Sequence, residues 1–355
     1  MSRVRVLIID DSAVVRKILR DTLESDPRIE VVDTAMDPVF AIEKIKKLRP
    51  DVLTLDVEMP RMDGVSFLEK LMSAMPTPVV MVSSLVEKNA VVTLRALELG
   101  AFDYVLKPND LNDLVQMKEV LADKVVAAAA SGVKEKLVKI HRPVPPASAM
   151  PASAANWLAK SVDTTEKVIA VGSSTGGTVA IERLLAGFSA NTPGIVIVQH
   201  MPPVFTKSFA DRLNATFPLE VREAKDGDWI VRGTVLIAPG DRHMRVESSG
   251  ARYLVRLSDE PHVNRHRPSV EVLFQSVAKA VGRNALGIML TGMGDDGAKA
   301  MREMKDAGSY NFAQDEASCV VFGMPKKAIE NGAVDEILPV ESIAPALLRQ
   351  LHGKS

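Results

Sequence analysis

The chain has 355 residues, and at about 100 to 200 residues per domain this length predicts two domains. Lys and Arg (44) nearly balance Asp and Glu (45), which excludes the strong field of a general nucleic-acid or membrane binder. A single cysteine, Cys319, cannot form an internal disulfide, and no apolar run reaches the roughly 20 residues of a membrane span. The first apolar run ends in two aspartates, which indicates a strand and not a signal peptide, so we expect a cytoplasmic protein.

The first third of the chain has the pattern of βα units around a parallel sheet. Short β-branched runs alternate with longer segments of helical period up to about Leu121. The predicted strands are Val4 to Ile9, Ile29 to Thr34, Val52 to Leu55, Val79 to Val82 and Phe102 to Leu106. In such a sheet, ligands bind beyond the carboxyl ends of the strands, so polar residues there are candidate site residues.

A linker and a second α/β series follow. The linker contains HRPVPPASAMPASAAN, which is rich in Pro, Ala and Ser, and we place the domains at residues 1–124 and 163–352 with the linker at 125–162. Buried strands at VIAVGS, Ile195 to Val198 and Leu286 to Leu290 predict a doubly wound, mostly parallel sheet. The segment Trp229 to Leu257 predicts a further strand and a β-hairpin.

Polar residues end four strands of the first series. Asp10 and Asp11 end the first, Asp56 the third, Ser83 the fourth and Lys107 the fifth. Three crowded carboxylates repel each other unless a cation that prefers oxygen ligands, most plausibly Mg²⁺, neutralises them. With a metal holding a phosphoryl group, a carboxylate can act as the nucleophile, and Asp56 is the best placed.

The motifs IIDDS, LDVEMPRMDG and YVLKP resemble the receiver domains of response regulators over about 120 residues. The resemblance implies a flavodoxin-like (βα)5 fold with phosphorylation at Asp56. It also implies that Mg²⁺ is bound by Asp10, Asp11, Asp56 and the backbone of Glu58, and that the switch residues are Ser83, Tyr104 and Lys107.

The second series contains a candidate serine nucleophile. Gly172 to Gly177 includes Gly-x-Ser-x-Gly between a buried strand and a predicted helix, a turn that can expose the hydroxyl of Ser174 beside free helix N–H groups. A phosphate-binding loop would need Lys where Thr178 stands, and the dinucleotide spacing Gly-x-Gly-x-x-Gly is absent. On its own the motif also fits a structural turn.

A serine nucleophile needs a base and an orienting acid. His200 directly follows the strand IVIVQ, at the same predicted sheet edge as Ser174, although a histidine at a strand end can also be purely structural. The loop LTGMGDDG follows Leu286 to Leu290 and supplies the carboxylate, as Asp295 or Asp296. The order serine, histidine, acid differs from that of α/β-hydrolases and disfavours that family.

The motifs GSSTGGT, VQHMPP, IAPGDRHM, NRHRPSV, LTGMGDDGA and ASCVVFGMP resemble, in order, the catalytic domain of CheB-type chemotaxis protein-glutamate methylesterases. The resemblance implies Ser174 as nucleophile, His200 as general base and acid, and Asp296 as orienting carboxylate, with Asp295 as an adjacent acid that could partly substitute. It further implies an oxyanion site formed by the Met293 N–H and Thr175, and no cofactor at the esterase site.

The two resemblances together imply a phosphorylation-activated serine hydrolase of bacterial chemotaxis. Its expected substrates are methyl-accepting receptors, on which it would also deamidate glutamines, and its expected phosphodonor is a chemotaxis histidine kinase, with recruitment to receptor arrays. Two other classes of protein fit less well. A receiver-linked transcription factor would need a basic recognition helix, which the second half lacks. A non-enzymatic scaffold would have no need of Ser174, His200 and Asp296.

Overall fold

The computed structural model describes residues 3–60, 62–108, 110–131 and 167–352. The chain divides into two compact units, Met1–Arg142 and Pro143–Ser355. The last helix of the first unit extends to Ala130, beyond the predicted domain end at residue 124. Most of the predicted linker lies outside the described residues, and the domain limits stay predictions.

The first unit is a five-stranded parallel sheet in the order β2-β1-β3-β4-β5. Its strands are β1 Val4–Ile9, β2 Ile29–Ala35, β3 Val52–Asp56, β4 Val79–Ser83 and β5 Asp103–Leu106. Its helices are α1 Ala13–Glu24, α2 Pro38–Leu48, α3 Gly64–Ala74, α4 Glu87–Glu98 and α5 Leu111–Ala130. All five strands lie within a residue or two of their predicted bounds.

Burial and capping explain why these segments form. Every residue of β3 and β4 is buried, as expected for central strands of a parallel sheet covered on both faces. Three helices begin at side-chain caps: Ser12 accepts from Val15 N, Asp37 caps α2, and Asp63 accepts from Ser66 N. Because all five strands are parallel, their polar carboxyl ends lie at one edge of the sheet.

The second unit contains a seven-stranded parallel sheet in the order β14-β13-β12-β6-β7-β9-β8, and a separate antiparallel hairpin, β10-β11. Its strands are β6 Val168–Ser173, β7 Gly194–Gln199, β8 Glu220–Glu223, β9 Thr234–Ile237, β10 His243–Ser249, β11 Arg252–Ser258, β12 Ala285–Met289, β13 Tyr310–Gln314 and β14 Glu336–Leu338. Its helices are α6 Gly177–Leu185, α7 Phe205–Thr216, α8 Val270–Ala280, α9 Ala298–Asp306, α10 Met324–Glu330 and α11 Val340–His352.

The predicted fold class is confirmed in both units, including the hairpin. The chain leaves β6 toward β7 on one side and later returns to β12 on the other, so the strand order reverses at β6. In sheets of this kind, ligands usually bind at the switch point, here outside the carboxyl ends of β6 and β12. None of the described helices is long and apolar enough to cross a membrane.

Candidate active site and phosphoacceptor site

The predicted phosphoacceptor residues converge at the carboxyl edge of the first sheet. Ligand oxygens of Asp10, Asp11 and Asp56 all lie within 4.8 Å of one another. The Lys107 ammonium lies 2.7 Å from Asp56 Oδ2 and 3.1 Å from Asp10 Oδ2. Asp10 and Asp56 are buried, while Asp11 is exposed. The Lys107 ammonium therefore pairs with two of the three clustered carboxylates.

The local charge balance fits a divalent cation. Burial raises the pKa of Asp56 to about 6, against the opposing pull of Lys107. Burial also raises the pKa of Asp10. Buried carboxylates resist ionisation when the positive charge nearby is insufficient, and one lysine does not provide enough. Hard oxygen ligands with surplus negative charge are the chemistry that Mg²⁺ prefers.

The other predicted receiver residues lie around this cluster. The Ser83 hydroxyl accepts a hydrogen bond from Thr93 Oγ1 at 2.9 Å, and the Lys107 N–H donates to the Ser83 carbonyl at 2.7 Å. The Glu58 N–H donates to Asp56 Oδ1 at 3.2 Å. Tyr104 is buried, which raises the pKa of its hydroxyl. Their proposed roles in metal binding and switching stay predictions.

In the second unit, Ser174 lies on the turn between β6 and α6. Its N–H donates to the Thr291 carbonyl at 3.0 Å, and its carbonyl accepts from the Gly177 N–H at 2.8 Å. Gly176 has φ 77°, in the left-handed region that favours glycine. The side chain of Ser174 is half-buried at the start of the helix. The turn thus presents a hydroxyl at the switch point of the sheet.

His200 directly follows β7, in the position that corresponds to Ser174 after β6. Its N–H donates to the Ser173 carbonyl at 3.1 Å, and Ser173 is paired in register with Gln199. Ser174 and His200 therefore follow one register pair on adjacent strands, which lie about 4.8 Å apart. His200 Nε2 lies 2.8 Å from Asp296 Oδ2. Its other ring nitrogen, Nδ1, is buried and has no hydrogen-bond partner among the described residues.

This pattern defines the histidine tautomer that the site favours. Because Asp296 can only accept when ionised, the proton of a neutral His200 belongs on Nε2 and the lone pair on Nδ1. Nδ1 is then the atom able to take a proton from Ser174. In the described part of the chain, no hydrogen bond joins Ser174 to His200 Nδ1. This bond is often absent before substrate binds.

Asp296 is held ionised by several donors. Asn264 Nδ2 and Ser269 Oγ each donate to its Oδ1 at 2.8 Å, and the Val270 N–H donates to Oδ2 at 2.6 Å. Burial of this carboxyl opposes ionisation, but its hydrogen bonds, with that of His200 the strongest, lower its pKa to about 2. The neighbouring Asp295 is exposed. The structure thus brings Asp296, and not Asp295, to His200.

The predicted oxyanion groups border Ser174. A Cβ added at Gly292 would lie 2.9 Å from Ser174 Cβ, so the loop that carries Met293 passes directly beside Ser174. Within the described residues, no hydrogen bond involves the Met293 N–H. The Thr175 carbonyl accepts from Thr291 Oγ1 at 3.0 Å, which fixes the peptide between Thr175 and Gly176. The oxyanion roles of Met293 and Thr175 stay predictions.

Sequence reasoning missed three supporting residues. Gln199 is buried, and its Nε2 donates to the carbonyls of Ser174 at 3.0 Å and His200 at 3.2 Å. Asn264 and Ser269 hold Asp296. Gln199 directly precedes His200, which the sequence had already indicated as the base. Asn264 and Ser269 lie in the motif NRHRPSV, but nothing in the sequence indicates that they bind the acid.

The fold and both sites define a class of protein: a response regulator whose second unit has the residues of a serine hydrolase. Comparison with known proteins agrees, because the family model for the response regulator receiver domain matches residues 6–119 and that for CheB methylesterase matches residues 169–347.

The chain belongs to the family of protein-glutamate methylesterases/protein-glutamine glutaminases. It is 53% identical to protein-glutamate methylesterase/protein-glutamine glutaminase 1 of Albidiferax ferrireducens, over 99% of this chain and 95% of the relative. It is 50% identical to the Escherichia coli protein of the same name, over 99% of this chain and 98% of that protein. The crystal structure of the Thermotoga maritima CheB methylesterase catalytic domain is 39% identical and has a TM-score of 0.51, covering 52% of this chain and 99% of that structure.

Proposed function

We propose that this chain is a phosphorylation-activated serine hydrolase that demethylates glutamate methyl esters, and deamidates glutamines, on chemotaxis receptors. The observation that supports it most is the His200–Asp296 pair, 2.8 Å between Nε2 and Oδ2, with His200 directly after β7, the strand paired with β6 before Ser174. Its relatives carry both activities in their names. Receptor demethylation of this kind serves adaptation in bacterial chemotaxis.

Acylation begins when Ser174 Oγ attacks the γ-carbonyl carbon of the methylated glutamate and its proton passes to His200 Nδ1. The imidazolium that forms is stabilised by Asp296, whose carboxylate stays ionised. The oxyanion accepts hydrogen bonds from the Met293 N–H and from Thr175. The bond to the methoxy oxygen then breaks, Nδ1 returns its proton, and methanol leaves.

Deacylation repeats the sequence with water. Nδ1 takes a proton from water as the water oxygen attacks the acyl carbon, and the Ser174 oxygen leaves with that proton. The product is a glutamate carboxylate. A glutamine side chain enters the same cycle and releases ammonia, which is a poorer leaving group than methanol, so deamidation is the slower reaction.

The first unit regulates the hydrolase through phosphorylation. The Asp56 carboxylate attacks the phosphorus of a phosphohistidine on a chemotaxis histidine kinase. The P–N bond breaks, the imidazole of the kinase leaves, and Asp56 becomes an aspartyl phosphate. A bound Mg²⁺ would neutralise charge on the phosphoryl oxygens, held by Asp10, Asp11, Asp56 and the Glu58 backbone. Lys107 and Ser83 would contact the phosphoryl oxygens, and Tyr104 would repack in response. We place the working protein at receptor arrays, where its substrate and its phosphodonor meet.

The test is methanol release from receptor membranes carrying labelled methyl esters, with and without a small phosphodonor and Mg²⁺. The wild-type chain should release methanol faster with the phosphodonor. Ser174→Ala should lower release by about 10⁶-fold, as loss of the nucleophile does in other serine hydrolases. Ser248→Ala, at an exposed end of the hairpin, is the matched control. Methanol release by Ser174→Ala at the wild-type rate would refute the mechanism.

A further inference from the structure

A second imidazole lies flat against the proposed general base. The rings of His200 and His266 are 3.7 Å apart between centroids, with 13° between their planes. Such close parallel stacking covers one face of His200, whose side chain is only 8% exposed. None of the steps proposed above uses His266.

The backbone that carries His266 is constrained. Val263 and His266 exchange two backbone hydrogen bonds, of 3.1 and 2.9 Å, across a tight turn. The two central residues, Asn264 and Arg265, have φ of 51° and 68°, a left-handed conformation that non-glycine residues adopt at a cost. Strained backbone of this kind persists when the surrounding contacts fix it, and it is frequent at functional sites.

The contacts that fix the turn come from the acid itself. Asn264 Nδ2 donates to Asp296 Oδ1, and Ser269, just after the turn, donates to the same oxygen. The carboxylate that orients His200 through its Oδ2 therefore also positions the segment that carries His266. Asp296 therefore fixes the positions of both imidazoles relative to each other.

We infer that His266 is a positioning residue for the reaction, an inference that rests on the proposed function. His200 Nε2 is held by a single side-chain hydrogen bond, which would allow the ring to tilt or turn over about its Cβ–Cγ bond. A parallel ring at 3.7 Å blocks that rotation, because a turning imidazole would drive its edge into His266. The stack keeps Nε2 on Asp296 and leaves Nδ1 on the side of Ser174.

The experiment compares His266→Ala, which removes the stacked ring, with His266→Phe, which keeps a flat ring but no ring nitrogen. His262→Ala is the matched control, because His262 is an exposed histidine of the same segment. Full-length variants are assayed with labelled receptor membranes and with a small activated ester. We expect His266→Ala to lower kcat by about 10²-fold with little change in KM, the scale of loss from a misplaced catalytic group. His266→Phe should recover most of kcat, and His262→Ala should match the wild type.

A second measurement determines the tautomer of the His200 ring directly. Nitrogen NMR of the labelled His200 ring, at a pH where it is neutral, should show the proton on Nε2 in the wild type and in His266→Phe. The His266→Ala spectrum should show both tautomers or broadened signals. Thermal unfolding of each variant separates loss of fold from loss of positioning.

Two results would overturn the inference: unchanged kcat and tautomer in His266→Ala, or His266→Phe impaired as much as His266→Ala. The latter would assign the effect to a nitrogen of His266 and not to stacking. If the wild-type chain releases no methanol, the proposed function fails, while the tautomer comparison still decides whether the stack orients His200.

Discussion

Replacing Asp296 with asparagine tests the site most sharply, because the adjacent Asp295 offers a matched control. Both substitutions remove one carboxylate from the same loop. Asp296 is buried and bonded to His200, whereas Asp295 is exposed. A general effect of charge would be equal in the two variants, and an orienting effect would appear in Asp296→Asn alone.

The expected loss of activity follows from the tautomer. An amide nitrogen placed toward His200 Nε2 would donate to it, so that Nε2 would become the acceptor and the ring proton would move to Nδ1. A protonated Nδ1 cannot take the proton of Ser174. We expect kcat for methanol release to fall by about 10⁴-fold, less than for loss of the serine, and Asp295→Asn to stay within about twofold of the wild type.

The expected loss of stability follows from the pKa. The hydrogen bonds that lower the pKa of Asp296, above all that of His200, favour the folded state. Because this pKa is depressed by folding, the contribution is complete above pH 4 and is lost as the pH falls toward 2. The substitution also leaves Ser269 and the Val270 N–H with a poorer acceptor, so we expect a total cost of about 2–4 kcal/mol.

Denaturant unfolding at neutral pH, followed by tryptophan fluorescence, measures this cost. Trp229 belongs to the second unit, so in a Trp157→Phe background the signal reports on that unit. Asp295→Asn should unfold within about 0.5 kcal/mol of the wild type. The reasoning is refuted if Asp296→Asn keeps wild-type turnover, or if Asp295→Asn loses as much activity.

Further predictions concern the receiver and the strand ends. Asp56→Asn should leave methanol release at its basal rate when phosphodonor and Mg²⁺ are added; acceleration equal to the wild type would place the phosphoryl group elsewhere. Burial raises the Asp56 pKa to about 6, so the metal-free first unit should lose about 3 kcal/mol of stability as the pH rises from 4 through 6. Asp56→Asn should remove this loss. Hydrogen exchange of the β3 amides measures the stability. Gln199→Leu removes the amide that holds the carbonyls of Ser174 and His200, and should lower kcat by about 10²-fold; an unchanged kcat would show that the two strand ends need no such link.

The fold was predictable because its signals are local. The central strands are runs of branched apolar residues, since both of their faces are buried in a parallel sheet. β8 was not predicted, and its sequence EVRE explains why: it is a short edge strand with partly exposed charged residues and resembles a loop. β13 was not predicted either, because YNFAQ is short and contains the polar residues Asn311 and Gln314, which interrupt an apolar run.

The site was predictable where residues directly follow strands. Asp56, Ser174 and His200 all do, and the geometry of parallel strands brings such residues to one edge. The choice between Asp295 and Asp296 could not be made from local pattern. It depends on tertiary contacts, because Asp296 is buried by its bonds to His200, Asn264 and Ser269 while Asp295 remains exposed.

Asn264, Ser269 and His266 were beyond the reach of pattern because they meet Asp296 and His200 only through tertiary structure. The acid belongs to the loop after β12, whereas these residues lie in the segment between the hairpin and α8. α8 begins at Val270, and its N-cap Ser269 makes no side-chain bond to its own helix. Asp296 supplies that acceptor instead, through the Val270 N–H, and its negative charge is favourable at a helix N-terminus. A neutral side chain at position 296 would weaken three contacts together: those to His200, to Asn264 in the turn and to the Val270 N–H at the start of α8. Catalytic orientation and local stability are therefore linked at one carboxylate, and we expect no substitution at this position to separate them.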